Sequence, residues 1–289
     1  IPDPSKIPLA KFGVSNMGMM KHLYRVGLKN RYGSMMQSIA GIHYNFSLPE
    51  SFWPIYQQQK RNLDSPEKFR SASYFTLIRN FRRHSWLLLY LFGSSPALPE
   101  SFLHNKQHNL NKLGKSSLYL PYATSLRMSD LGYSTSAQAS LKICFNHLET
   151  FIKSLQTAIH TPYPDYQNIG VKVDGEYRQL ATTVLQIENE YYSDIRPKRV
   201  SHDHETSLQA LIRGGVEYIE VRNTDVNPLL PLGMDLQQAH FMDVFLLSCL
   251  IMGEELLSDQ ECKTAAETLQ TVTTRGREPG LQINQPKGK

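Results

Sequence analysis

Gly214-Gly215-Val216-Glu217-Tyr218-Ile219-Glu220-Val221-Arg222 reads as a β-strand opened by a glycine pair, because Val, Tyr and Ile suit a pleated surface and Gly-Gly punctuates the chain. Side chains alternate across a strand, so Tyr218, Glu220 and Arg222 share one face while Glu217, Ile219 and Val221 share the other. A phenol, a carboxylate and a guanidinium therefore stand in one row. That row asks for a purpose.

The same parity applies to two further stretches. In Ile42–Pro49, "IHYNFSLP", His43, Asn45 and Ser47 oppose Ile42, Tyr44, Phe46 and Leu48. In Val184–Tyr192, "VLQIENEYY", Gln186, Glu188, Glu190 and Tyr192 oppose Leu185, Ile187 and Asn189. Three predicted strands, each polar on one side and largely apolar on the other, are what half-exposed antiparallel sheets ordinarily look like. Composition argues for more than that. These faces hold His, Asn, Gln, Tyr, Arg and several carboxylates, which suit oriented hydrogen bonding and metal coordination. His and Glu without Cys favour a hard divalent cation, Mg2+ or Mn2+, over zinc. Glu220 and Arg222 stand about 6–7 Å apart along the strand, so one could hold a cation while the other contacts the same phosphate. No glycine-rich Walker or kinase loop accompanies them. A lone His43 is more often a structural histidine than a ligand, and only its pairing with Glu220 shifts that. The run Ile195–Arg199, "IRPKR", reads by default as a solvated loop, with a phosphate contact as the minority reading.

Around these strands the helical signals are strong. Met20, Leu23, Tyr24, Gly27 and Leu28 recur at helical spacing within residues 14–38. Asp64-Ser65-Pro66-Glu67 opens a helix that is expected to run to Gly93, followed by a polar loop over 94–117. Leu141, Cys144, Phe145, Leu148, Phe151, Ile152, Leu155 and Ile159 predict one long amphipathic helix from Ser136 to Pro162. Its expected partner is a helix over 235–253, where Asp235 and Gln238 can cap. Asp174-Gly175 predicts a tight hairpin. Helices and strands alternate irregularly, so the fold class is α+β with an antiparallel sheet.

The 289 residues hold 31 basic and 26 acidic side chains, for a net charge of +5. This weakly basic balance comes without a basic stripe or an interleaved aromatic platform, which speaks against nucleic acid as a partner. The longest apolar run, "WLLLYLFG" from Trp86, is far short of the roughly 20 residues of a membrane span. Cys144, Cys249 and Cys262 lack C-x-x-C spacing, so neither a disulfide framework nor a zinc site is expected, and a cytoplasmic setting is the default.

Four blocks carry a specific resemblance: "YRVGLKNRYGSMMQSIAGIHYNFSLP" (24–49), "YLPYATSLRMSDLGY" (119–133), "LQIENEYYSDIRPKR" (185–199) and "LIRGGVEYIEVRNTDVNP" (211–228). Together they resemble the bacterial single-chain glutamate-cysteine ligase family, over a stretch from Phe12 to Leu281. The resemblance implies a glutamine-synthetase-like antiparallel sheet forming an open barrel packed with helices. It implies ATP-dependent joining of the γ-carboxylate of L-glutamate to the amine of L-cysteine through γ-glutamyl phosphate, the first step of glutathione synthesis. Carried over by position, His43 and Glu220 look like Mg2+ ligands, and Arg222 like a contact to the transferred phosphoryl group. Arg127 matches a position that binds a substrate carboxylate, where a planar fork grips both oxygens. Tyr24, Leu28, Gln37, Tyr133 and Tyr192 match the pocket for the incoming cysteine.

Family members carry a glutamate-rich strand segment upstream of the present Ile1 and a helical region downstream, and the last stretch, "GREPGLQINQPKGK" (276–289), leaves the family pattern after its first residues. The expectation is a single catalytic domain spanning 1–289, incomplete at both ends. Two other readings stay open at this point. One is a truncated, inactive paralogue that only binds substrate or nucleotide; the other is a related ligase that uses another amine.

Overall fold

The Gly214–Arg222 stretch does become a strand, and it is the middle one of a three-stranded sheet. The computed structural model describes residues 6–103, 107–132, 136–139 and 141–284. In chain order its elements are α1 (Asn16–Tyr32), β1 (Ile42–Phe46), α2 (Phe52–Gln59), α3 (Pro66–His84), α4 (Trp86–Phe92), β2 (Ala97–Pro99), β3 (Asn111–Leu113), β4 (Ser117–Tyr119) and α5 (Ser136–Ala139). Then come α6 (Leu148–His160), α7 (Pro164–Ile169), β5 (Lys172–Val173), β6 (Glu176–Tyr177), β7 (Ile195–Lys198), α8 (Ser207–Gly214), β8 (Tyr218–Thr224), α9 (Leu236–Ile251) and α10 (Asp259–Arg275).

The main sheet has the order β1-β8-β7, antiparallel throughout. Gly215 makes its start possible. With φ +69 it takes a left-handed conformation that disfavours side chains, and a Cβ there would stand 2.2 Å from Ser71 Oγ. Ser71 Oγ in turn accepts from the Val216 backbone N–H at 3.0 Å. Alternation along β8 follows the expected parity, with Ile219 and Val221 fully buried and Tyr218, Glu220 and Arg222 half-buried.

The buried side of the sheet packs on α3, whose Tyr74, Leu77, Ile78 and Phe81 are fully enclosed. Against the far side of α3 lies α9, through Phe81 and Phe245 in edge contact at 6.0 Å and through Asn80 Nδ2, which donates to the Cys249 and Gly253 carbonyls. Burying side chains of this size stabilises by about 1.5–3 kcal/mol each, so the apolar side of the sheet carries the fold and leaves the polar side available.

Several sequence expectations are corrected. The three sheets have three, three and two strands, and none closes into a barrel among the described residues. Residues 184–192 are not a strand but an irregular segment with a 3-10 turn at Glu188–Glu190. Its side chains bond to nearby backbone instead of leaving it free for a ladder: Gln186 Oε1 accepts from Leu180 N, and Glu190 Oε2 from Gln186 N at 2.6 Å. The sheet's third strand is β7, inside the "IRPKR" run that was expected to be loop. The supposed helix from Ser136 is broken, because the Asn146 carbonyl is taken by Arg79 Nη1 at 2.7 Å and Asn146 Nδ2 by the Leu257 carbonyl. The loop expected over 94–117 instead supplies strands to the small sheet β2-β4-β3. The long helix expected to reach Gly93 is split at Ser85 into α3 and α4. The 174–175 hairpin is as expected, with Asp174 at φ 51 and Gly175 at φ 85.

Candidate functional site

The polar side of β1-β8-β7 is a ladder of three rows. In the first, His43 faces a bulge where both Arg222 and Asn223 of β8 stand opposite one residue of β1, a device that re-aims side chains. In the second, Asn45, Glu220 and Arg196 are paired across the strands. In the third, Lys198 pairs with Tyr218. Successive rows on one face are about 6–7 Å apart.

His43 and Glu220 meet, as the sequence suggested. His43 Nδ1 lies 3.2 Å from Glu220 Oε1, and Arg222 Nε approaches His43 Nε2 at 3.4 Å and Glu220 Oε2 at 3.9 Å. An Nε2 that accepts leaves the proton on Nδ1, which donates to Glu220. Burial lowers the affinity of His43 for a second proton, and Arg222 adds to this against the opposing pull of Glu220. A neutral imidazole beside a carboxylate is the protonation state that binds a divalent cation. These two donors suit a hard cation, although among the described residues no group of three or more His, Cys, Asp or Glu could hold a metal.

Next to this row lies a cavity of about 320 Å³ between α1 and the sheet. Tyr24, Leu28, Gln37 and Tyr192 line it together with Arg222, Arg196, Tyr32 and Glu190. Four of the five residues expected around a small amine substrate are thus brought together; the fifth, Tyr133, lies outside the described residues. Arg222 Nη1 is buried without a hydrogen-bond partner, and the guanidinium sits 5.7 Å from the Tyr192 ring. The Tyr24 phenol is held strongly protonated, first by burial and then by the charge of Glu190.

Arg127 is elsewhere. Its Nε pairs with Asp225 Oδ1 at 2.7 Å, both side chains buried, and Asp225 also takes Ser125 Oγ, Ser95 Oγ and Ser94 N. Arg127 borders a second cavity of about 280 Å³ that shares Tyr192 and Gln138 with the first. Its Nη2 is buried and unbonded.

Sequence reasoning missed the brace that shapes the first cavity. Arg31 and Glu190, essentially unexposed, pair at 3.1 Å. Tyr32 donates to the same oxygen at 2.7 Å, and Arg31 Nε donates to Gln179 Oε1 at 2.8 Å. No local pattern announces a partner 159 residues away. Arg196 and Lys198 were within reach of the same parity rule, since one residue separates them; Pro197 between them is buried, as an edge strand allows.

The fold and this site together define an α+β scaffold that presents cations and a carboxylate beside a small half-open pocket. The comparisons with known proteins place it further. The family model for glutamate-cysteine ligase matches residues 1–272, and the chain belongs to that family. It is 54% identical over 283 residues to the glutamate-cysteine ligase of Pseudomonas putida (strain W619), covering 98% of this chain and 54% of the relative. The Pseudomonas aeruginosa PAO1 enzyme matches at 54% identity with the same coverage. A crystal structure of the Francisella tularensis glutamate-cysteine ligase in complex with AMP superposes with a TM-score of 0.88 at 40% identity, covering 95% of this chain and 54% of that one. A bifunctional glutathione synthetase from Pasteurella multocida shares the fold, with a TM-score of 0.66 at 24% identity over 88% of this chain and 28% of its own. The chain thus spans about half the length of the curated relatives it matches. Among the described residues no helix is long and apolar enough to cross a membrane.

Proposed function

We propose that this chain belongs to the catalytic domain of a cytoplasmic glutamate-cysteine ligase, with β1-β8-β7 belonging to the curved sheet of a glutamine-synthetase-like open barrel. A γ-carboxylate oxygen of L-glutamate attacks the terminal phosphorus of ATP, and the bond to ADP breaks. The amine of L-cysteine then attacks the acyl carbon, phosphate leaves with the oxygen, and the nitrogen gives up a proton. The observation that carries this reading is the convergence of Tyr24, Leu28, Gln37, Tyr192 and Arg222 on one cavity beside the His43–Glu220 pair.

Bringing a carboxylate against a triphosphate requires neutralising like charges in a sheltered site. Arg222 offers its unbonded Nη1 to the transferred phosphoryl group. Arg127 offers its free Nη2 to a substrate carboxylate. Tyr24 and Tyr192, with Leu28 and Gln37, enclose the cysteine side chain, a role that the family resemblance also assigns to Tyr133. His43 and Glu220 are the residues of this chain that would hold Mg2+ or Mn2+, which supplies charge neutralisation to the phosphates. Binding of AMP by the Francisella relative supports an adenine nucleotide as co-substrate.

The test is product formation. The protein at its native length, given ATP, Mg2+, L-glutamate and L-cysteine, is expected to release one phosphate per γ-glutamylcysteine found by mass spectrometry. Phosphate release without dependence on cysteine, or preference for another amine, would overturn the assignment.

A further inference from the structure

We infer that Lys198, with Arg196, receives the leaving diphosphate of the nucleotide along the third and second rows of the polar sheet face, an inference that rests on the phosphoryl-transfer reading above. Three observations carry it. First, the two residues are one position apart on β7, on the same face as Glu220, which Arg196 opposes, and in the row beyond it, where Lys198 stands opposite Tyr218. Second, the remaining member of the basic run is used otherwise: Arg199 donates to the Gly214 and Gly215 carbonyls and pairs with Glu217. Arg196 gives its Nη2 to the Asn189 and Tyr191 carbonyls, with no hydrogen bond from Nε or Nη1 among the described residues. Third, Lys198 is half-buried and its ammonium makes no hydrogen bond or ion pair among the described residues. Lys60, Lys68, Lys112 and Lys263 pair with Glu254, Asp64, Glu100 and Glu267, while lysines that likewise make no such bond among the described residues, such as Lys29, Lys115 and Lys153, are exposed.

A partly desolvated ammonium without a partner costs stability, so packing alone does not account for it. Burial lowers its proton affinity, with Arg196 and Arg222 adding to this and Glu220 and Glu188 opposing. Arg196 is likewise brought down to about 10, by burial first and then by Arg222, and stays charged at neutral pH. Mutually repelling cations on one face gain from an anion laid across them. Arg222 in the first row takes the phosphoryl that moves. The rows beyond it take what is left behind, where negative charge accumulates as the bond to ADP breaks. An ammonium on a flexible stem suits that role as a point charge.

The test compares nucleotides that differ in this one phosphate. In Lys198→Gln, measured on the protein at its native length, ADP affinity is expected to fall about tenfold or more while AMP affinity is unchanged. KM for ATP should rise, with the KM values for glutamate and cysteine unmoved, and Lys198→Arg should recover part of the loss. Lys263→Gln removes the same charge from the surface and should change neither affinity. Equal loss for ADP and AMP, or no loss for either, overturns the inference. If Lys198→Gln loses ADP affinity alone but the wild type makes no γ-glutamylcysteine, the phosphate contact stands and the assigned reaction falls.

Discussion

Two clusters of charge border one cavity, one through Glu190 and Tyr32 and the other through Arg196 and Arg222, and they are built on opposite principles. At the Arg31–Glu190 brace every strong group is used. Arg31 donates to Gln179, Val184, Ala181 and Glu190 and lies 4.0 Å from the Tyr166 ring, while Glu190 accepts from Arg31, Tyr32 and the Gln186 backbone. On the sheet face the capacity is left open. Arg222 keeps an unbonded nitrogen, Lys198 has no partner among the described residues, and His43 is half-exposed. Satisfied charge rigidifies a wall, and unsatisfied charge waits for a ligand. Substitutions in the first cluster should therefore register in melting curves, and those in the second in kinetics.

The largest effect is expected where the brace is cut. Arg31→Met leaves the Glu190 carboxylate buried without its cation, a change that costs about 3–5 kcal/mol. Chemical denaturation reads it directly. A loss below about 1 kcal/mol would erase the distinction between the two clusters.

Glu220→Gln comes next, and from the other side. A neutral amide holds Mg2+ poorly, so turnover should fall by about 10²–10³ with the denaturation midpoint nearly unmoved. Near-normal activity at ordinary Mg2+ would remove Glu220 from the site. Arg222→Lys keeps the charge but loses the planar fork and its buried, unbonded Nη1. Its turnover should drop at least about tenfold, again at constant stability, and an unchanged rate would make Arg222 a solvent-face residue.

The division also explains what the sequence could reveal. Parity along 42–48 and 218–222 put His43, Glu220 and Arg222 on the right face, because a two-residue period survives folding unchanged. The resemblance added Tyr24, Leu28, Gln37 and Tyr192, whose meeting no period encodes. It did not bring Arg127 into the same cavity, since Asp225, three residues beyond Arg222 in the chain, holds it by a tertiary bond. The brace escaped reading for the same reason. Glu190 looked like one more outward carboxylate of a strand, and only a helix arriving from 159 residues away pulls it inward and dissolves the strand. The interrupted helix near Asn146 likewise answers to a distant residue, Arg79. What depends on chain-local period was legible; what depends on a remote partner for a buried polar group was not.

The smallest effect is the sharpest test of the comparison. Lys198→Met removes an ammonium that the fold desolvates without a bond, so the variant should melt at the wild-type temperature or slightly above it, with about 2–4 °C for each kcal/mol gained, while ADP affinity falls. The pH dependence has a definite sign. Because Lys198 binds its proton less tightly in the folded chain than its ordinary value of 10.5, the unfolded chain holds the proton over the window just below 10.5. Stability therefore rises with pH through that window, and below it the charged lysine carries its full cost. Denaturation midpoints of wild type and Lys198→Met should accordingly differ at pH 7 and converge as the pH climbs toward 10.5. If instead Lys198→Met is the less stable protein at pH 7, the ammonium was holding the fold together, and the open face would be a second brace.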